Sequence, residues 1–175
     1  MSDSEIIKKY TPHFVATGYD KDGKPIFITD QKRVSAAYDV SGVVWLWETD
    51  GIPVIPANIG AFPDTIQFPG PGGTKFGICW MAPESQGKMD YGKGDVAKSG
   101  SFKARADPSF HATASMEYAI VLSGEVDLEL EGGQSMTLRK GSCWVQTGAP
   151  HAWHVRGTEP CVFALFVIGA VVQAT

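Results

Sequence analysis

The sequence predicts an all-β fold that forms one sandwich or barrel domain. Short apolar segments recur along the second half of the chain, and turns of two to four residues separate them. Apolar and polar residues alternate within these segments, as in strands that bury one face. Helix signals are weak beyond the first ten residues. The 175 residues are enough for one hydrophobic core and fit one domain, 1–175.

The N-terminal half begins with a predicted hairpin at residues 13 to 30, where HFVATGY and PIFITD flank the turn sequence DKDG. We expect this hairpin to extend one sheet of a six- to eight-stranded barrel. A strand follows at VVWLWET, then a stretch rich in proline and glycine from Gly51 to Gly73, then a buried strand at KFGICWMA.

The second half contains six predicted strands at regular spacing, which is typical of an antiparallel sandwich or barrel. Their expected ranges are 115–123, 125–131, 134–139, 142–147, 151–156 and 161–168.

Residues 83–108 form a predicted loop between the two halves. Glycine, serine, lysine and aspartate dominate it, and its hydrophobic periodicity disappears. A loop of this length inside a compact domain is either disordered or functional. Because it ends beside His111, we interpret it as a flexible flap over a site.

Charge and composition narrow the classes of partner. The net charge is -4 and the basic residues are scattered, which argues against a nucleic-acid surface or an anionic membrane surface. No apolar run is long enough to span a bilayer, and the start lacks the apolar stretch of a signal peptide, so we expect a cytoplasmic protein with a small-molecule partner. The three cysteines lie inside apolar strands and are expected to be buried, reduced thiols.

Strand alternation predicts which polar side chains converge. His111, Thr113 and Glu117 share one parity, so all three side chains point inward if one does. On a later strand His151 can share that interior, whereas His154 falls on the opposite face unless a bulge interrupts the strand.

Two imidazoles and one carboxylate, from His111, His151 and Glu117, are a ligand set for one divalent transition metal. Iron, manganese, cobalt, nickel and zinc all accept it. The alternative is that these are satisfied core residues. The presence of Glu117 together with the two histidines favours a metal site, because an acidic residue buried without a partner would be a costly charge. Apolar residues that we expect in the wall of a small-molecule pocket, or simply in the core, are Phe76, Ile78, Trp80, Ala119, Val121, Trp153 and Val155.

These residues carry a resemblance to the cupin superfamily. His111, Thr113, Glu117 and Gly124 lie at the spacing of the first cupin motif, with threonine where a second histidine usually stands. The segment GSCWVQTGAPH, ending at His151, resembles the second motif. The resemblance covers about residues 105 to 170. Within it, EYAIVLSGEVDLEL and HAW resemble a subgroup found among tailoring enzymes of secondary metabolism.

The resemblance implies a double-stranded β-helix, or jelly roll, preceded by an N-terminal hairpin. It divides the chain into N-terminal strands at 1–82, a flap at 83–108 and the core motifs at 109–170. It also implies a homodimer, in which the VVWLWE segment packs against a partner chain. Two residues depart from the family pattern: Thr113 leaves a three-ligand site of lower metal affinity, and Val155 stands where asparagine is common.

Three functions remain open from the sequence. The first is metal-dependent lyase or isomerase chemistry, such as dehydration or decarboxylation, on a small organic molecule, for which the resemblance suggests polyketide-type or aromatic compounds. The second is an Fe(II) oxygenase that uses the same triad. The third is a small-molecule-binding barrel without catalysis. In the enzyme readings Glu117, His111 and His151 are the catalytic residues, and Thr113 lies beside the substrate.

Overall fold

The structure is a computed structural model of the chain, and it describes residues 12–28, 34–38, 40–54, 63, 65–91, 101–103 and 107–172. The strands of the N-terminal half are β1 (Ala16–Tyr19), β2 (Pro25–Ile28), β3 (Val34–Tyr38), β4 (Ser41–Thr49), β5 (Thr74–Met81) and β6 (Ser101–Lys103). Those of the second half are β7 (His111–Thr113), β8 (Ser115–Ser123), β9 (Glu125–Leu130), β10 (Ser135–Arg139), β11 (Cys143–Gln146), β12 (His151–His154) and β13 (Cys161–Gly169). A short 3-10 helix spans Glu84–Gln86.

The strands form two large antiparallel sheets that enclose the core. One sheet has five strands in the order β10-β9-β12-β7-β6, and the other has six in the order β11-β8-β13-β5-β4-β3. Val126 and Leu138 from the first sheet, and Val155 directly after β12, pack in one cluster with Val121 and Phe163 from the second. The predicted all-β cupin-like architecture, with its N-terminal hairpin, is confirmed.

The chain changes sheets between β7 and β8, and this change positions the site. Thr113 ends β7 in the five-stranded sheet, and Ser115 begins β8 in the six-stranded sheet. The two polar ends of these strands therefore lie at the same end of the sandwich. Gly124 closes β8 with a φ of 73°, and a Cβ atom there would lie 2.4 Å from the carbonyl oxygen of Pro160. Only glycine suits both this backbone conformation and this close approach.

Two details of the fold differ from the expectation. The hairpin of β1 and β2 forms a two-stranded sheet of its own instead of extending a large one. The N-terminal half also adds more strands than a minimal barrel needs, because β3, β4 and β5 widen one sheet and β6 widens the other. In the part of the chain that the structure describes, no helix is long and apolar enough to cross a membrane.

The predicted flap at residues 83–108 is partly regular. Its first residues form the 3-10 helix, and Ser101–Lys103 pairs with β7. The amide of Tyr91 donates to the carbonyl oxygen of Pro108 across 3.0 Å, which brings the two ends of this segment together. Residues 92–100 and 104–106 of the predicted flap lie outside the described residues.

Candidate functional site

Two histidines lie side by side in the five-stranded sheet. His111 on β7 and His151 on β12 are directly paired across the strands. Their side chains are buried, and their ring centroids are 4.2 Å apart with 54° between the ring planes. Side chains opposite each other on antiparallel strands share one face of the sheet. The close approach of these two imidazoles is therefore a consequence of strand register.

Glu117 enters the same interior from the facing sheet. The burial of β8 alternates strictly from Ser115 to Val121, which places Glu117 on the inner face. The hydroxyl of Thr113 donates to Oε1 of Glu117 across 2.6 Å, and Ser115 Oγ lies 3.0 Å from the same oxygen. Ser115 Oγ is also 2.8 Å from Thr113 Oγ1. This hydroxyl pair holds the carboxyl group in one orientation.

Burial makes the neutral forms of all three groups more stable. Loss of solvent raises the pKa of Glu117, although the hydrogen bonds from Thr113 and Ser115 oppose this. Burial, and then the neighbouring His151, lower the pKa of His111 well below its usual value. Burial also lowers the pKa of His151 to about 4, against the opposing hydrogen bond at Ala149. Neutral imidazole is the form that binds a metal.

Nδ1 of His151 contacts two groups, one at the end of β11 and one in the turn that leads to β12. Its Nδ1 lies 2.8 Å from the carbonyl oxygen of Ala149, and the side-chain amide of Gln146 contacts the same nitrogen. Gln146 is buried and lies directly across from Glu117 on the neighbouring strand. The sequence prediction missed Gln146, and the signal that could have found it is its polar side chain within the buried face of a strand.

A cavity of about 80 Å³ opens from this cluster between the two sheets. Its polar end includes Glu117 and His111. The rest of its wall is mainly aromatic, with Trp45, Phe68, Trp144, Trp153 and Phe163 among the lining side chains. These rings contact one another at centroid distances that include 5.3 Å for Trp144 and Trp153 and 5.8 Å for Trp45 and Phe68.

Tyr91 closes the polar end of the cavity. Its ring stacks on His111 at a centroid distance of 3.5 Å and an interplanar angle of 10°. Met89 lies on the same segment and lines the cavity, and its sulfur accepts a hydrogen bond of 3.1 Å from Ser41. Neither residue was predicted, because the segment has no periodicity from which a buried face could be inferred.

The predicted wall residues separate into two groups. Trp153 lines the cavity, and Ala119, Val121 and Val155 belong to the core cluster beside it. Phe76 and Ile78 instead lie in a cluster on the outer face of the six-stranded sheet, while Trp80 belongs to that cluster and also borders the cavity. On β5 the residues that line the cavity from the inner face are Cys79 and Met81.

His154 lies on the other side of the sheet from His151. Its Nδ1 is 2.6 Å from Oε1 of Glu84, and its Nε2 is 3.0 Å from Oε2 of Glu129. These contacts tie the 3-10 helix to β9 and β12. His154 therefore links surface elements and is not part of the cluster around His111 and His151.

The donor set fits a metal in part. His111 and His151 are buried and adjacent. Among the described residues, Nδ1 of His111 has no hydrogen bond of good geometry. The backbone of Ser109 and of His151 lies near this ring and partly opposes the lowering of its pKa. The described residues contain no group of three or more His, Cys, Asp or Glu side chains arranged to hold an ion. Glu117, the third predicted ligand, is instead bonded to the hydroxyls of Thr113 and Ser115.

Comparison with known proteins places the site within a recognised domain. Residues 100–168 match the Cupin_2 family model, described as a cupin domain. The chain is 28% identical over 74 residues to oryzines biosynthesis cluster protein J of Aspergillus oryzae, covering 42% of this chain and 41% of that protein. It is 32% identical over 73 residues to the cupin-domain-containing oxidoreductase virC of Hypocrea virens, covering 42% of this chain and 38% of that protein.

The matched part of the chain thus spans about two fifths of the length of each relative. Among solved structures, the cupin domain of an XRE family transcriptional regulator from Enterobacter cloacae is 18% identical with a TM-score of 0.37, covering 56% of this chain and 83% of that one. The segment that contains His111, Glu117 and His151 lies within the part of the chain that matches the cupin domain model.

Proposed function

We propose that this chain is a metal-dependent enzyme that converts a small organic molecule by non-redox chemistry, either dehydration or decarboxylation by a lyase, or isomerisation. The observation that carries the proposal is the pair of buried, adjacent imidazoles of His111 and His151, of which His111 lines the same cavity as the carboxyl group of Glu117. In this proposal the two histidines and Glu117 hold one divalent transition metal, which when bound supplies Lewis acidity for a carbonyl or hydroxyl oxygen of the substrate.

The remaining steps depend on the residues of the chain. Glu117 moves a proton at its carboxyl oxygen, and burial raises the pKa of that carboxyl group, which is the direction that makes a carboxylate a better proton acceptor. The hydroxyls of Thr113 and Ser115 orient that carboxyl group. The aromatic wall orients the substrate and excludes water, and Tyr91 covers the polar end.

An iron-dependent oxygenase that uses the same three residues is the second candidate. It is favoured by the name of the relative virC, which describes a cupin-domain-containing oxidoreductase. A small-molecule-binding barrel without catalysis is the third candidate, because an apolar cavity beside a few polar groups is also the form of a simple binding site.

Elemental analysis tests the metal proposal. Protein purified without added metal, and again after anaerobic loading with iron, is expected to carry up to one transition metal per chain, and Glu117→Gln is expected to lose both metal and turnover. Absence of bound metal under both conditions would contradict the proposal and favour the binding barrel. Oxygen uptake in proportion to product would favour the oxygenase.

We also propose that the protein forms a homodimer. The VVWLWE segment, which was expected to pack against a partner chain, lies in β4 and is largely buried within this chain, so the proposed interface is the outer face of the six-stranded sheet. Exposed apolar side chains cluster there on β8, β11 and β13, with exposed fractions of 43% for Tyr118, 52% for Val145 and 39% for Phe166. A contiguous apolar patch of this kind is typical of an interaction surface. Sedimentation of the wild type as a dimer and of Tyr118→Lys as a monomer would support this interface, whereas a monomeric wild type would contradict it.

A further inference from the structure

From the composition of the cavity wall, we infer that its ligand is an uncharged, flat, unsaturated ring compound whose hydroxyl or carbonyl oxygen meets His111 and Glu117. This inference rests on the proposed function, because it assumes that the cavity is the substrate site. It also narrows that function, since a neutral hydroxylated ring can undergo dehydration or isomerisation but has no carboxylate to lose.

The shape of the wall favours a ring. Trp144, Trp153 and Phe163 form a continuous aromatic surface, with centroid distances of 5.3 Å from Trp144 to each of the other two. Phe68 meets Trp45 edge-on on another part of the wall. Flat π-systems stack on or meet such rings edge-on, and each pair adds stabilisation beyond the area that it buries.

The electrostatics of the wall oppose an anion. The described residues that line the cavity include no lysine or arginine that could pair with an anion, and in the metal-free protein an ionised Glu117 would repel a carboxylate or a phosphate. Burying an unpaired charge against the aromatic wall would add a further penalty.

The one buried lysine next to this wall, within the described residues, is already neutralised. Lys75 is almost fully buried, and its ammonium group lies 2.9 Å from Glu48, 2.8 Å from the carbonyl oxygen of Thr65 and 2.7 Å from that of Gln67. These contacts hold the segment from which Phe68 reaches the cavity. Lys75 is not among the described residues that line the cavity, so it supports the wall without contacting the ligand.

The chemistry that this ligand class allows is balanced without an oxidant. In a dehydration the C–O bond breaks with its electron pair on oxygen, and a neighbouring carbon gives up a proton. The resulting hydroxide and proton leave as water, and a C=C bond forms between the two carbons. In this proposal the carboxylate form of Glu117 accepts the carbon-bound proton.

The test compares two probes with the same ring, 2-naphthol and 2-naphthoate, by calorimetric titration of the metal-free protein at neutral pH. We expect 2-naphthol to bind at least about tenfold more tightly, because the naphthoate must bury an unpaired charge. Phe68→Ala and Met89→Ala, in segments outside the strands, should each weaken naphthol binding. Phe166→Ala, on the outer face of the six-stranded sheet, should leave it unchanged.

Equal or tighter binding of naphthoate would overturn the inference, as would binding that only Phe166→Ala weakens. Failure of both probes to bind the metal-free protein, when the same protein takes up metal on loading, would also overturn the inference while leaving the metal proposal intact. Naphthol binding at the cavity in a protein that never acquires metal would uphold the inference and refute the metal proposal.

Discussion

Replacing His151 and His154 separately distinguishes a residue of the candidate metal site from a buried structural residue three positions away. His151→Ala removes one of two adjacent buried imidazoles, so we expect the metal affinity to fall by more than about 100-fold, beyond the loss typical of residues that only support a ligand. His154→Ala should leave metal content and turnover at the level of the wild type, because His154 lies on the other face of the sheet and contacts Glu84 and Glu129.

The stability cost of His154→Ala can be estimated from these contacts. The side chains of His154, Glu84 and Glu129 are 11%, 23% and 30% exposed, so the substitution leaves two partly buried carboxyl groups without this partner. Such losses typically cost roughly 1–3 kcal/mol. For a domain of this size that lowers the melting temperature by roughly 2–12 °C.

The assay measures metal per folded chain by elemental analysis, together with the thermal unfolding midpoint of each variant. We expect His151→Ala to be folded but metal-poor, and His154→Ala to be less stable but metal-replete. If His154→Ala alone empties the site, the assignment of the two faces of β12 is incorrect. If neither variant changes bound metal, the histidine pair is a packing feature.

Three further predictions concern stability and thiol chemistry. The pKa of Asp127 is lowered, chiefly by the hydrogen bond from Thr137. Ionised Asp127 therefore stabilises the fold above its unfolded pKa of about 4, and this stability is lost as the pH falls through the lower folded pKa. Asp127→Asn should have a lower urea midpoint than the wild type at pH 7, and the difference should disappear in acid. Native protein should titrate about one thiol per chain with a disulfide reagent, since Cys143 is exposed while burial raises the pKa of the other two cysteines; three fast thiols would refute this. Gly124→Ala should lower the free energy of unfolding by roughly 2–4 kcal/mol. Gly132→Ala should cost less, because its added Cβ atom meets open space. Equal costs would show that the close approach at Gly124 is relieved by a shift of its neighbours.

The second half of the fold could be predicted from sequence because its signals are local. The predicted range 115–123 coincides with β8, and the range 161–168 differs from β13 by one residue at its end. Turn residues mark the ends of these strands, and alternation identifies one buried face wherever the other face is polar. That is why Glu117 could be assigned to the interior before its contacts were known, while its function as a ligand stays a prediction.

The orientation of β5 could be decided only by the tertiary structure. Both faces of this strand carry apolar side chains that are buried or half-buried. Phe76 and Ile78 pack in the cluster that includes Phe14, whereas Cys79 and Met81 line the cavity. Alternation therefore could not tell whether Phe76 and Ile78, or Cys79 and Met81, point inward. The meeting of Tyr91 with His111 is equally non-local, since it depends on how a segment without periodicity packs across the end of the sandwich. The sequence by itself determined the strands and their parity, and the packing of distant segments determined the shape of the cavity.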